Sequence, residues 1–503
     1  MIGPLGWTIV GPVLLGLLAL SRPARNSARW LCALGSAHTF AVGLWALADF
    51  AQNPGADFRF VEAHAWSTFL GSQFALGVDG MGAAMLALSG FVTLIATVSA
   101  WRQTHSPHVY HALVLLLLAA MNGVFTATDF LVFYVSWEVL LVPMVALIGV
   151  FGGEQRRYAA LKFFVYTLAG SVLMLGFLIA LWNAMPAGAP KSLDLRHLAD
   201  LWPVWRDAKF LGVSLAGFGF CAVVLACLVK LPAVPVHTWL PHAHVQAPTA
   251  VSVLLAGVLL KLGVYGLYRI AWPLFPAEAT AWSPALGALG VVAILWGAWV
   301  ALGQRDLKRL VAYSSVSHMG FCLLGLASAT VAGALGGLVQ AVAHGLSSSL
   351  MFLLVGVVYD RAHHRAVDGF GGLARPMPRF GWLLLFGALA SAGLPGLAGF
   401  IGEFLVFMGG FTARTPFPAL TAAAVLSVVL SAAYLLWTCK RVAYGPLRHE
   451  EHAKFADCDA RELAAMLPLC VGLLVLGVWP GPLADALRPS CEALLTHLQG
   501  VTR

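Results

Sequence analysis

Three ionisable residues lie inside strongly apolar stretches of the sequence. Glu138 stands in the segment FYVSWEVLLVP, Lys261 in LLKLG, and Lys230 directly before the segment LPAVP. Burial disfavours the charged form of a lysine, whereas a nearby carboxylate favours it. A buried lysine next to a glutamate can therefore take up and release a proton as its partner moves. The competing interpretation is structural: a hydrogen bond for Glu138, and a side chain reaching from a helix end towards water for Lys230.

Three histidines and a second glutamate extend this set. His237 follows the LPAVP segment, His318 ends the segment YSSVSH, and His344 has polar residues four positions away on either side. Residues four apart share one helix face, and histidine titrates near physiological pH. Glu403 follows a glycine- and proline-rich segment and is expected to be an exit-side titratable group. Each of these side chains also has a purely structural alternative, as a hydrogen-bonding group in a helix bundle.

The elements that must position these groups are membrane-spanning helices. The 503 residues are 60% hydrophobic and 10% charged, against about 25% charged in soluble proteins. Apolar runs of about 20 residues recur, each long enough to cross a hydrocarbon layer of about 30 Å. We predict an all-α integral membrane protein forming a single transmembrane domain over 1–503, with about 14 transmembrane helices. The predicted spans are 5–20, 30–49, 79–100, 109–126, 128–150, 158–184, 208–230, 246–272, 281–302, 306–327, 329–358, 380–411, 417–444 and 463–480.

Two of these helices carry breakers. One break is predicted in KLPAVP from Lys230, and the other in GLPGLAG from Gly393, because proline removes a backbone donor and clashes with the preceding turn. Paired broken helices are typical of transporters built from inverted repeats. We therefore expect two inverted five-helix repeats, at 109–272 and 281–444, with peripheral helices over 5–100 and 463–480.

The distribution of basic residues predicts the orientation. Most Lys and Arg residues fall in every second loop, which the positive-inside rule assigns to the cytoplasm, so both termini are expected on the periplasmic side. The first apolar stretch lacks a basic region before it, and we expect it to be a retained helix. The eight cysteines form no CxxC pair, and neither a P-loop nor a dinucleotide motif is present. We expect no metal, no cofactor and no nucleic acid in this chain.

Several longer segments resemble one known family. They are WEVLLVPM from Trp137, VKLP with HTWLP and APT from Val229 to Thr249, LLAGVLLK up to Lys261, DLKRLVAYSSVSHMG from Asp306, and GLPG with GEF up to Phe404. Over residues 75–480 the chain resembles the antiporter-like membrane subunits of proton-pumping NADH–quinone oxidoreductase, respiratory complex I. The sequence of these segments is closer to the subunit M (chain 4) group than to the related L and N subunits.

The resemblance implies a 14-helix antiporter-like fold in the bacterial inner membrane, with Glu138 and Lys230 as a coupled pair, Lys261 as central relay and Glu403 as distal site. It also implies that FMN, Fe–S clusters and quinone belong to partner subunits, with subunits L and N as neighbours. Two positions depart from the family, His242 and Gln246, where acidic residues are common. The alternatives are a subunit of a cation/proton antiporter or membrane-bound hydrogenase, and a non-pumping structural subunit.

Overall fold

The computed structural model describes residues 2–185, 191–201, 205, 207–210 and 212–501. Within them the chain is mostly helical, with 18 helices, apart from three short 3-10 turns, that we number in chain order. They are α1 (Pro4–Leu20), α2 (Ala28–Gln52), α3 (Gly80–Ser99), α4 (Pro107–Thr126), α5 (Phe130–Phe151), α6 (Arg156–Ala184), α7 (Leu195–Asp200), α8 (Leu215–Lys230), α9 (Trp239–Gln246), α10 (Thr249–Leu274), α11 (Pro276–Leu302), α12 (Leu307–Ala327), α13 (Val331–Ala362), α14 (Pro378–Ser391), α15 (Ala398–Thr412), α16 (Phe417–Val442), α17 (Ala460–Val478) and α18 (Gly481–Val501).

Eleven helices in the described part of the chain are long and apolar enough to cross a membrane, and three shorter apolar helices accompany them. The prediction of an all-helical integral membrane protein is thereby confirmed. The count of fourteen requires each broken pair to make one crossing, and it stays a prediction. Three helices form the buried centre: the apolar windows of α10 and α13 are 100% buried, and that of α12 is 94% buried.

Both predicted breaks are present. α8 ends at Lys230 and α9 begins at Trp239, with the prolines of the LPAVP segment between them. The Trp239 indole donates to the carbonyl of Val229 (2.9 Å) and satisfies one acceptor at the end of α8. α14 ends at Ser391 and α15 begins at Ala398. Gly393 lies between them with a φ of +73°, a conformation that glycine adopts without steric cost.

A β-hairpin, absent from the sequence prediction, covers one end of the bundle. Strand β1 (Arg59–Ser67) pairs antiparallel with β2 (Ser72–Val78), and a second, two-residue ribbon joins β3 (Lys209–Phe210) to β4 (Val213–Ser214). We call the end with β1 and β2 the hairpin face. On this face the Glu62 carboxylate accepts from the main-chain amides of Gly3 and Leu5 (both 2.8 Å), and so holds the start of α1.

The C-terminal helix α18 was also not predicted. It lies across the hairpin face, where Ala486 contacts the start of α3 at Gly80 and His497 Nε2 lies 3.1 Å from the carbonyl of Pro273. The start of α1 and the helix α18 are therefore on the same face. The opposite end, which carries the loops around residues 102, 154, 305 and 364, is called the basic face below.

Aspartates begin several of the helices that frame the interior. Asp79 caps α3, Asp129 caps α5 and Asp306 caps α12. Asp459 forms a capping box with Glu462 at the start of α17. Each carboxylate accepts from main-chain amides that have no partner within the helix, which fixes where the helix starts and hence the depth of every residue along it.

Candidate functional site

The centre of the molecule holds a direct contact between a lysine and a histidine. Lys261 on α10 is fully buried, and its Nζ lies 2.7 Å from Nδ1 of His344 on α13. The same Nζ donates to the carbonyl of Ala256. A lysine ammonium only donates, whereas a neutral imidazole has one donor and one acceptor nitrogen. One proton can therefore sit on either side of this contact.

His318 on α12 continues the line. Its ring centroid is 5.4 Å from that of His344, and its Nε2 lies 2.9 Å from the carbonyl of Ser391, the last residue of α14. Its Nδ1 is 3.4 Å from the hydroxyl of Ser314, which in turn bonds the Tyr434 hydroxyl at 2.7 Å. Both imidazoles line a cavity of about 10 Å³, which is room for about one water molecule.

Glu403 ends the line at the second break. Its Oε1 is 3.9 Å from His318 Nε2, and both side chains are at most 7% exposed. A side chain at Gly393 would place a Cβ 2.6 Å from Glu403 Oε2, so the glycine there provides room for the carboxylate as well as the turn. The structure thus joins Lys261, His344, His318 and Glu403 in one buried series.

Lys230 and Glu138 lie at the other break and are not joined directly. Lys230, 3% exposed, donates to the carbonyl of Trp137 (3.0 Å), and its Nζ is 3.9 Å from the centroid of the Trp137 ring. Glu138 is the next residue, half-buried, within electrostatic range of Lys230 and with Oε1 buried and without a hydrogen bond. In the described residues no ion pair links the two. Lys230 therefore contacts the main chain beside the acid.

His237 does not join the series. It lies in the first break, 6% exposed, with its ring 6.0 Å from that of Tyr313 and Nδ1 without a hydrogen-bond partner. The two positions that depart from the family lie nearby on α9. His242 Nδ1 is 3.1 Å from Lys162 Nζ, and the Gln246 side-chain oxygen accepts from the main-chain amide of Gln155 at 3.0 Å.

Two residues that the sequence reasoning missed lie between the centre and the basic face. His244 on α9 is fully buried, has neither ring nitrogen hydrogen-bonded, and is within electrostatic range of both Lys261 and Lys308. Lys308 on α12 is 3% exposed and donates to the carbonyl of Ala247 at 2.6 Å. The available signal was the cluster of histidines after the first break, because His244 follows His237 and His242 within seven residues.

Lys308 also lines a large basin on the basic face, with a volume of about 1150 Å³. The arginines of its wall have carboxylates within 4.0 Å: Arg361–Glu462, Arg365–Asp306, Arg102–Asp459 and Arg461–Asp459. For Lys308 the described residues provide no carboxylate within that distance. The wall carries six carboxylates against five Lys and Arg side chains, so Lys308 is a buried amine without a direct ion pair in a basin that has no excess of positive charge.

These features define a class of protein: a helical membrane protein with two broken helices and a buried line of titratable groups between them. The profile described as "NADH:quinone oxidoreductase/Mrp antiporter, TM" matches residues 127–431. The chain belongs to this family, as the sequence resemblance predicted.

Individual relatives agree with this assignment. Subunit M of NADH-quinone oxidoreductase from Rhodobacter capsulatus is 42% identical over 480 residues, covering 94% of this chain and 91% of the relative. The F(420)H(2) dehydrogenase subunit M of Methanosarcina mazei is 35% identical over 500 residues, covering 98% of both chains. A chain in the structure of respiratory complex I from Thermus thermophilus with bound NADH is 32% identical, with a TM-score of 0.86 over 98% of this chain and 99% of that chain.

Proposed function

We propose that this chain translocates protons as the antiporter-like subunit M of an NADH–quinone oxidoreductase, driven by quinone reduction in partner subunits. The observation that carries the proposal is the buried series from Lys261 through His344 and His318 to Glu403. Its members are linked by a contact of 2.7 Å, a ring separation of 5.4 Å and an approach of 3.9 Å. A charged group in the middle of a membrane is costly and marks an ion pathway in most transport proteins.

Lys230 donates to the carbonyl of Trp137, the residue directly before Glu138. Movement of Glu138 towards or away from Lys230 would change the affinity of that amine for a proton. We infer that this pair sets the protonation of the series, with Glu138 half-buried at the side of the bundle, where a neighbouring subunit can reach it.

We propose that the basin is the path by which protons enter the chain from water. Lys308 lines it, and His244 is within electrostatic range of Lys308 on one side and Lys261 on the other. We infer that protons are taken up from the basic face by Lys308 and His244, and that Glu403 releases them at the other side. His237, in the first break, is a second uptake candidate.

The surroundings follow from the family. We assign the basic face to the cytoplasm of a bacterial inner membrane, which places both termini in the periplasm, and we expect subunits L and N as neighbours. FMN, Fe–S clusters and quinone are assigned to partner subunits. The two broken helices each stand fourth in a set of five, at 109–272 and 281–444, which supports two inverted repeats.

The test is Glu138→Gln in the assembled complex reconstituted in vesicles. We expect a large loss of proton transport, because the amide keeps the size of the side chain and removes its titration. The control is Glu492→Gln, the same change at an exposed carboxylate of α18. A purely structural subunit predicts unchanged proton transport in Glu138→Gln, and that result would refute the proposal.

A second candidate concerns the partners. The Methanosarcina mazei relative is a subunit of an F(420)H(2) dehydrogenase, and the family description also includes Mrp antiporters. The electron donor is therefore set outside this chain, and a cation/proton antiporter or membrane-bound hydrogenase remains the alternative assembly. Purifying the chain with its native partners and measuring NADH oxidation and sodium transport would separate these candidates.

A further inference from the structure

A group of cationic side chains that have no carboxylate within 4.0 Å among the described residues lies where α6, α9 and α12 meet on the basic face. Lys162 on α6 is half-buried, with its Nζ 3.1 Å from His242 Nδ1. The rings of Tyr158 and Tyr166 lie 5.9 and 5.8 Å from the same Nζ. In the described part of the chain, no carboxylate lies within 4.0 Å of this amine. Its partners are an imidazole and two aromatic faces.

Arg309 adds a second cation from α12. It stands in the first turn of that helix, whose start is capped by the Asp306 carboxylate. Its guanidinium has no ion pair among the described residues, and both it and Lys162 contribute positive charge near His242. Two cations of this surface therefore lack a carboxylate partner, and an external anion would stabilise them.

An exposed apolar stripe runs away from these cations along α6. Its members are 50–61% exposed and share one face of the helix: Leu161, Val165, Val172 and Ile179. From Leu161 to Val172 the stripe covers about 16 Å at 1.5 Å per residue, which is about the depth of one leaflet. Tyr158, 56% exposed, stands at the end of the stripe nearest the basic face. Tyrosine is enriched at this level of a membrane, beside the lipid headgroups.

We propose that an anionic phospholipid binds here, with its phosphate between Lys162, His242 and Arg309 and an acyl chain along the α6 stripe. Basic pockets between transmembrane helices are known to hold anionic headgroups. The stripe adjoins the cations, so one amphipathic anion can contact both; an acidic side chain of a neighbouring subunit is the alternative occupant that the experiment below separates. The lipid would fix α9, the second half of the broken helix, against α6 and α12.

The test is native mass spectrometry of the intact complex with added phosphatidylglycerol or phosphatidylcholine of identical acyl chains. We expect the wild-type complex to hold at least one phosphatidylglycerol about tenfold more tightly than phosphatidylcholine. The double variant Lys162→Gln, Arg309→Gln should lose that one lipid. The control, Lys440→Gln, removes an exposed cation at the same face and should retain it.

The outcomes are decisive in either direction. Equal retention of phosphatidylglycerol in the double variant and the wild type overturns the proposal. So does a wild-type complex that binds both lipids equally, the result expected if a partner carboxylate fills the site. If the double variant does not assemble, the single variants Lys162→Gln and Arg309→Gln replace it: each should weaken phosphatidylglycerol binding, and undiminished binding in both overturns the proposal.

Discussion

Replacing Lys261 by methionine is the sharpest test of the central series. The side chain is fully buried, and its amine makes two contacts, to His344 Nδ1 and to the carbonyl of Ala256. Methionine has a similar length and fills an irregular apolar space readily. The substitution therefore removes the proton-carrying group while leaving the packing of α10 against α13 nearly unchanged.

The expected effects on stability and on rate differ. A hydrogen bond involving a charged group contributes about 1.5–3 kcal/mol, so the two bonds of Lys261 together contribute about 3–6 kcal/mol. Removing a buried ion also relieves a desolvation cost of several kcal/mol, and the net change in stability should be small. A positioned proton-transfer group contributes about 10²- to 10⁴-fold in rate, which corresponds to about 2.7–5.5 kcal/mol of barrier.

The assay is proton uptake by vesicles containing the assembled complex, measured together with quinone reduction. We expect Lys261→Met to assemble normally and to lose proton transport about 100-fold or more through this subunit. Lys261→Arg should also fail, because arginine keeps the charge but does not release its proton. The neighbouring Leu260→Met is the control for a changed side chain on the same helix. Normal proton transport in Lys261→Met would show that the series is not the pathway.

Two further predictions concern the basic face. Arg361→Ala should lower the free energy of unfolding by about 3–5 kcal/mol. The reason is that Glu462, 10% exposed, loses the guanidinium that now donates to both of its oxygens at 2.8 and 3.0 Å. An unchanged thermal midpoint of the purified complex would contradict this prediction. The loop containing His452 should loosen as the pH falls below about 6.5, because burial, with the nearby His449 and His364, holds the pKa of His452 below its ordinary value. The folded loop then binds fewer protons than the unfolded chain and loses stability on acidification. The protection factors for amide exchange over residues 446–456, which correct for the intrinsic slowing of exchange towards acid, should fall between pH 7.5 and 5.5 in the wild type and not in His452→Phe.

The sequence was sufficient for the features that depend on composition along the chain. Apolar runs identified the spans, and a lysine or glutamate within such a run stood out as a buried titratable group, as for Lys261 and Glu403. Proline and glycine located both breaks, because their effect on the backbone is local. The family followed from long ordered segments. None of these inferences required knowledge of which helices touch.

The contacts between helices were not predictable in the same way. Lys261 and His344 are 83 residues apart, and their meeting depends on the rotation of α10 and α13 about their axes. Lys308 stands beside Arg305 and Arg309 at the start of the predicted span 306–327, where a basic side chain is expected to reach water, yet it turns inwards at the start of α12. The β1–β2 hairpin and α18 were not predicted, because neither a short β-hairpin nor an amphipathic helix contains a long apolar run.

Helix irregularities and helix ends have a role beyond bending the chain, because they provide the acceptors that the buried cations and His318 contact. Lys230 donates to Trp137, Lys261 to Ala256, Lys308 to Ala247, and the His318 ring contacts Ser391. All four acceptors are main-chain carbonyls, and each lies at or near a helix irregularity. Trp137 precedes the turn at Leu140 within α5, and Ala256 is in the π-helical segment Leu255–Leu259.

The other two acceptors stand at helix ends. Ala247 follows α9, and Ser391 is the last residue of α14. In a regular helix each carbonyl is already bonded to an amide four residues on, whereas irregular turns leave acceptors available. A carbonyl can hold a protonated amine or imidazole without carrying a full negative charge, so it stabilises the proton less firmly than a carboxylate would. These irregular turns and helix ends thus provide acceptors for buried cations within the membrane without fixing their protons as tightly as a carboxylate would.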